Sequence, residues 1–259
     1  MLLIERELTV AAATTSQAAG LVGQVRNSVE RTKLAMWSVE TFSQLQEDAE
    51  TSAGWRQVGS LRIALCDERV EEFKHMKNIA DQSGLEVDFI DNKTAQSKWP
   101  EMDFEQVKAV LWCPSDGYLQ PSDLTMAYVA YARRSGVRFQ TNSLVQSVLI
   151  KDSRVTGVLT DRGIVHCDTV INAAGAHAYQ IANSIGVELP IVPVRHEFFV
   201  TITAQGVEPG LPVIRIHDST LYLRAETNAL LCGGWEPEGL STDPRGFALT
   251  TEPPAIEPD

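Results

Sequence analysis

Two polar side chains sit in an otherwise apolar strand pattern near the C-terminal third of the sequence. In TLYLRAE, Tyr222 and Arg224 alternate with Leu221 and Leu223. Alternation puts them on one sheet face, about 7 Å apart along the strand. An aromatic ring beside a guanidinium can receive a carboxylate-bearing small molecule. The same pair also suits an ordinary solvent-facing sheet surface. His196 lies among apolar residues in VPVRHEFFV, where an imidazole should face a partner or a cavity. The other histidines, His75, His166, His177 and His217, show no helical metal-ligand spacing and read as surface or structural.

Two further stretches combine small residues with a following helix. In VINAAGAH, 170–177, an apolar run ends in Ala173, Ala174 and Gly175. Small residues at a strand's carboxyl end let a ligand approach the backbone, and the helix N-terminus favours an anion. A tight strand–helix connection without a ligand explains the pattern equally well. In ATTSQAAG, 13–20, hydroxyls and a glycine precede a helix. Thr15, Ser16 and Gln17 suit a nucleotide or flavin contact, and Thr14, Thr15 and Ser16 also suit plain capping. The opening MLLIERE reads as a strand ending on Glu5. A strand-end acid hydrogen-bonds a ribose hydroxyl in dinucleotide-binding folds, but there it follows a G-x-G-x-x-G turn by about 20 residues. Only four residues precede Glu5. No G-x-S-x-G, P-loop or H-E-x-x-H pattern supports hydrolytic or zinc chemistry.

These residues must be carried by regular elements. Leu34, Trp37, Thr41, Phe42 and Leu45 recur at helical spacing, which predicts a helix over 29–50. Val70, Phe73, Met76 and Ile79/Ala80 predict another over 68–83, with Gly84 as its cap. Pro121, Ser122 and Asp123 open a third, which Gly136 ends. GSLRIAL and EVDFI read as strands, as does VRFQT. LVQSVLI, RVTGVLT and IVHC read as an antiparallel meander. DTVINAAG reads as a buried strand and HAYQIANSIG as a helix. IVPVRHEFFVTI, PVIRI, TLYLRAE and ALLCGG make the last part strand-rich, and 236–259 shows no periodicity. Interleaved βα units and antiparallel strands predict a mixed α/β fold: a Rossmann-type domain with an inserted antiparallel sheet.

The chain has 259 residues, 44% hydrophobic and 22% charged, enough for a sizeable core. Its net charge of −12 and lack of a basic cluster argue against nucleic acid. Cys66, Cys113, Cys167 and Cys232 are scattered, so neither a disulfide framework nor a metal site is expected. No signal peptide or membrane-length apolar run is present, and the expected compartment is the cytoplasm.

Glu5, QAAG at 17–20, GSLRIA at 59–64, DGYLQPSDLTMAYVAYARRSGV at 116–137, INAAGAHA at 171–178, PIVPVRHEFFVT at 190–201, LYLR at 221–224 and CGGWEPEGLSTDP at 232–244 occur in one order. This order resembles the FAD-dependent amine oxidoreductases related to D-amino-acid oxidase, in the branch of dimethylglycine and sarcosine dehydrogenases. The resemblance implies an FAD-binding domain over 1–55 and 120–190 and a β-rich substrate domain over 56–119 and 191–259, both incomplete. It implies oxidation of a secondary or tertiary N-methyl amine, with hydride transfer to flavin N5. Glu5 would hold the adenosine ribose, and Thr15, Ser16 and Gln17 would lie by the flavin. Val145 would touch the adenine region through its backbone, and Ala173, Ala174 and Gly175 the ADP. His196 and Tyr222 are the implied catalytic residues lining the substrate cavity, and Arg224 would meet the substrate.

The branch commonly has W-H-A-A-G, whose histidine bonds FAD covalently. Gln17 stands at that position here, so FAD would be held non-covalently. The glycine fingerprint and a later glycine-rich segment are also absent, so the chain is expected to be an incomplete form that binds FAD weakly or not at all. A non-catalytic remnant, and a flavoenzyme for another amino or hydroxy acid, stay open beside this reading.

Overall fold

The computed structural model describes residues 1–48 and 52–246. In chain order the first half contains β1 (Leu2–Ile4), β2 (Leu21–Val22), α1 (Val29–Glu47), β3 (Ser60–Ala64), α2 (Asp67–Ser83), β4 (Asp88–Ile90), α3 (Asn92–Lys98), β5 (Ala109–Cys113), β6 (Gly117–Tyr118) and α4 (Pro121–Arg134). The second half contains β7 (Arg138–Gln140), β8 (Val145–Lys151), β9 (Arg154–Thr160), β10 (Gly163–His166), α5 (Ala178–Asn183), β11 (Val194–Arg195), β12 (Phe198–Val200), β13 (Val213–Ile216), β14 (Leu221–Glu226), β15 (Ala229–Gly234) and β16 (Leu240–Ser241). The fold is mixed α/β, as expected. It divides into two compact units: Met1–Gln17, Tyr131–Arg195 and Glu238–Asp259 in one, Ala18–Ala130 and His196–Pro237 in the other. Residues 18–55 therefore group with the large sheet, because α1 packs on α2; the sequence expectation grouped them with Glu5.

The first unit is built on the expected meander. β9 lies between β10 and β8, antiparallel to both, and β1 pairs in parallel with β7. Val148, Val158 and Ile181 form its core, with Ile4, Val145 and Val155 packed against them. The expected buried strand over DTVINAAG is not formed. No described strand pairs with 168–174, and Ile171 is 79% exposed. A strand exists only as part of a ladder, and an apolar run without a neighbouring strand has no reason to extend.

The second unit carries a seven-stranded sheet in the order β12-β15-β14-β13-β3-β5-β4. β13 and β3 are parallel, and the other pairs are antiparallel. Leu61 and Ile63 of β3 point to a cluster with Ala95, Trp99 and Phe104. Ala64 points to the opposite cluster, with Val25 and with Phe73 and Ala80 of α2. Both faces are covered, so all five residues of β3 are buried, Arg62 included.

α2 and its cap match the periodicity: Gly84 has φ 76° and donates its N–H to the Ala80 and Asp81 carbonyls. α1 begins at Ser28, whose hydroxyl accepts the Arg31 N–H. Its buried face is a correction. Thr32, Val39 and Leu45 are inside, while Leu34 and Trp37 are 62% and 63% exposed. Val39 and Leu45, with Phe42, pack against Trp55 and Leu119, and this contact sets the helix rotation. α3 was not expected: it is short and lacks periodicity, and Asp91 starts it by accepting the Thr94 N–H at 2.7 Å. IVPVRHEFFVTI is two short strands rather than one, broken at His196 and Glu197.

Candidate active site

One row of side chains crosses the large sheet. Gly233 of β15 pairs with Tyr222 of β14, Tyr222 with Arg215 of β13, Arg215 with Arg62 of β3, and Arg62 with Leu111 of β5. Paired residues share a face, so two guanidiniums and a phenol lie side by side on the α2 side of the sheet.

Arg62 is 4% exposed. It donates to the Val25 carbonyl at 3.3 Å and, at 3.5 Å, to His217 Nε2. Its Nε finds no acceptor among the described residues. Burial pushes its ionisation down, Asp116 pushes it up, and Arg26 pushes it down again. Asp116 is fully buried. Its Oδ1 accepts the Gln24 N–H at 2.9 Å and Gln24 Nε2 at 3.0 Å, and its Oδ2 accepts the Ser60 hydroxyl at 2.6 Å. Burial and the adjacent Arg62 bring the Arg215 guanidinium down to about 10. His217 is brought down to about 4 by burial and by Arg62, Arg69 and Arg215 around it. It is therefore neutral near pH 7, and because Arg62 donates to Nε2, its proton sits on Nδ1.

An aromatic wall adjoins the guanidiniums. Tyr222 and Trp235 stack with centroids 6.0 Å apart and planes 6° apart. His217 meets the Trp235 edge at 5.4 Å. Gly233 lets the Tyr222 ring lie flat on the strand, since a Cβ there would come 2.3 Å from the phenol oxygen. Burial raises the Tyr222 hydroxyl, Arg215 lowers it and Glu236 raises it again. His196 Nδ1 lies 3.2 Å from Glu236 Oε2. Of the expected pair, His196 meets Glu236 and is exposed rather than enclosed, while Tyr222 feels Glu236 only electrostatically.

Arg224 has a different surrounding. It is 2% exposed, donates to the Ala19 carbonyl at 2.6 Å and the Ala225 carbonyl at 2.8 Å, and pairs with Glu226 at 2.6 Å. Its guanidinium also lies 4.9 Å from the Tyr118 ring centroid. Its Nε and one terminal nitrogen are engaged within the protein.

The remaining expected residues lie in the first unit. Glu5 follows β1, donates its N–H to the Gln140 carbonyl at 2.9 Å and accepts the Glu7 N–H on Oε1 at 2.9 Å. Thr15, Ser16 and Gln17 lie exposed on a short 3-10 turn, where the Ser16 hydroxyl donates to the Ala13 carbonyl at 2.8 Å. Val145 heads β8 opposite Thr160, at a register break before Ser147. Ala173, Ala174 and Gly175 are exposed, and Gly175, at φ 55°, would meet nothing within 4 Å if it carried a Cβ.

Arg62, Asp116, Arg215, His217 and Trp235 were not singled out from the sequence. A signal was present: SLRIA and VIRI each place one arginine inside an apolar strand, and a buried charge demands partners. Only the register shows that the two arginines are neighbours.

The family model described as "FAD dependent oxidoreductase" (DAO) matches residues 1–257. The chain belongs to this family of FAD-dependent oxidoreductases. The chain is 35% identical over 227 residues to 4-methylaminobutanoate oxidase (formaldehyde-forming) of Paenarthrobacter nicotinovorans, covering 88% of this chain and 28% of that protein. It is 32% identical over 241 residues to the mitochondrial dimethylglycine dehydrogenase of Rattus norvegicus, covering 92% of this chain and 28% of that protein. The chain thus spans little more than a quarter of these relatives. The crystal structure of L-proline dehydrogenase from P. horikoshii superposes with a TM-score of 0.84 at 25% identity, over 94% of this chain and 64% of that one. Among the described residues, no helix is long and apolar enough to cross a membrane.

Proposed function

We propose that this chain serves the FAD-dependent oxidation of a secondary or tertiary N-methyl amine such as dimethylglycine or sarcosine. The observation that carries this reading is the Tyr222–Trp235 stack beside the Arg215–Arg62 row, with the Glu236 carboxylate next to Trp235 in sequence and acting electrostatically on Tyr222. An aromatic face and a carboxylate suit a methylated ammonium group. The kinship to enzymes named for methylated amines supports the same substrate class.

The residues present fit FAD. Residues 15–17 and 173–175 are exposed, and the open backbone at Gly175 admits a close ligand. Glu5 would hold the ribose, Ala173, Ala174 and Gly175 the ADP, Val145 the adenine through its backbone, and Thr15, Ser16 and Gln17 the flavin. An amide side chain at Gln17 forms no covalent bond to the ring, so the cofactor would be held non-covalently. When bound, FAD supplies the two-electron acceptor for C–N oxidation. Tyr222, Trp235 and Glu236 would orient the nitrogen, and His196, tied to Glu236, would hold that carboxylate in place.

The test is to mix the purified chain with FAD and follow the flavin band under anaerobic conditions. Bleaching by dimethylglycine or sarcosine, but not by a 2-hydroxy acid or glycerol phosphate, is expected. Bleaching by the hydroxy compounds alone, or no bound flavin, would overturn the reading for this chain.

A further inference from the structure

We infer that the exposed face of α1 pairs with the same face of a second copy of this chain, antiparallel about a two-fold axis at Trp37. The pairing does not depend on the amine-oxidation reading.

Leu34 and Trp37 are 62% and 63% exposed, on a helix whose other side packs Val39 and Leu45 against Trp55 and Leu119. A solvated helix face needs no large apolar residues, and polar ones serve there as well. Beside Trp37 runs a groove of about 490 Å³ between α1 and the turn after α2. Met36 and Leu85 make its apolar floor, and both belong to the core cluster beneath it. Lys33, Glu40 and Glu86 make a charged rim. An apolar centre ringed by charge is the anatomy of a protein contact. An indole withdrawn into such a groove removes about 150–250 Å² from water.

Spacing selects the occupant. At about 100° per residue, Glu30, Lys33, Leu34, Glu40, Thr41 and Gln44 all fall within about 60° of Trp37, in one stripe about four turns long. All are exposed except Thr41, which is half-buried. Lys33 and Glu40 lie on one flank of the stripe, Leu34 and Thr41 on the other. A two-fold axis through the contact sets Trp37 against Trp37 and keeps each flank on its own side. Lys33 of one copy then falls beside Glu40 of the other, Leu34 beside Thr41, and Glu30 beside Gln44. Every charge in the stripe meets its opposite or a neutral amide. A parallel pairing would set Lys33 on Lys33 and Glu40 on Glu40, which costs energy at each pair. Within one chain, Glu40 Oε1 accepts Gln44 Nε2 at a long 3.4 Å, a contact that a partner's ammonium replaces with a stronger one. The stripe is thus complementary to itself in one orientation, as a two-fold interface requires.

One helix pair lies at the low end of specific interfaces, below about 1,200 Å², so half-association at about 10–100 μM is expected. Sedimentation equilibrium of the full chain over that range reads it directly, at about 0.15 M salt, where the net charge of −12 is screened beyond about 8 Å. The mass should rise from 28.5 kDa toward twice that value. Lys33→Glu and Glu40→Lys each set two like-charge pairs across the axis, and each should weaken the dimer about tenfold. The double reversal, Lys33→Glu with Glu40→Lys, should restore it to within about threefold. Trp37→Ser should abolish it, with far-ultraviolet circular dichroism confirming the fold of every variant. A 28.5 kDa species at all concentrations would overturn the inference and leave this face to a different protein. A dimer untouched by Trp37→Ser would also overturn it, by placing the contact on another surface, such as the edge strand β12 with its exposed Phe199. A double reversal no tighter than the single ones would overturn the antiparallel register.

Discussion

Replacing Asp116 tests whether the guanidinium row depends on a buried counter-charge. Asp116→Ala removes three accepted hydrogen bonds, from the Gln24 N–H, Gln24 Nε2 and the Ser60 hydroxyl, all from buried residues. It also leaves Arg62 and Arg215 facing each other without the carboxylate that now favours their charged forms. Hydrogen bonds to a charged group contribute about 1.5–3 kcal/mol each and are not additive, and the guanidiniums also lose a buried charge that favours their ionised forms. Asp116→Ala should therefore lose about 4–5 kcal/mol, a large share of the roughly 5–15 kcal/mol that holds an ordinary domain together. Asp116→Asn keeps the side chain's shape and one acceptor oxygen, and should lose about 2–3 kcal/mol. Urea unfolding followed by tryptophan fluorescence reads the relevant unit alone, because all five tryptophans, Trp37, Trp55, Trp99, Trp112 and Trp235, lie in it. A loss below about 1 kcal/mol in Asp116→Ala would refute the account. Equal stability of Asp116→Asn and the unaltered chain would show that hydrogen bonding alone, without charge, holds the row.

His217 makes a pH prediction. It titrates near 4 in the folded chain, below the ordinary histidine value of about 6.5, so the unfolded chain binds more protons between those values. Its contribution is therefore full above about pH 6.5 and is lost as pH falls toward 4, by about 2 kcal/mol after allowance for partial exposure. His217→Gln keeps an acceptor for Arg62 and should show a flatter fall in urea stability from pH 7 to 4.5; parallel curves for both proteins would exclude His217 as the source. Gly84→Ala meets open space but forces a side chain into φ 76°, so a loss of about 1 kcal/mol is expected from backbone strain alone, read as a lower thermal midpoint.

Most of what could be read locally was legible. α2, its glycine cap and the three-strand meander follow from period and turn chemistry, which act over a few residues. What failed depended on neighbours distant in sequence. The α1 stripe from Leu34 to Leu45 looked like one face, but α2, Trp55 and Leu119 select Val39 and Leu45 and leave Leu34 and Trp37 in water. DTVINAAG has the composition of a buried strand but pairs with no described strand. Arg224 and Tyr222 do alternate with leucines, yet the carbonyl of Ala19 and the Tyr118 ring, far off in sequence, enclose the arginine.

The residues alone determined the mixed α/β class, the amine-oxidoreductase kinship and the interest of Tyr222, because these depend on order, composition and short-range pattern. Tertiary structure decided which acceptors each of the strand arginines meets among the described residues. Arg62, Arg215 and Arg224 are the same residue type in similar apolar strands, and each carries the same demand for acceptors. Strand register, the sharp approach of Gly23 and the burial of Asp116 divide the available acceptors among them, and that division is a property of distances no sequence spacing contains.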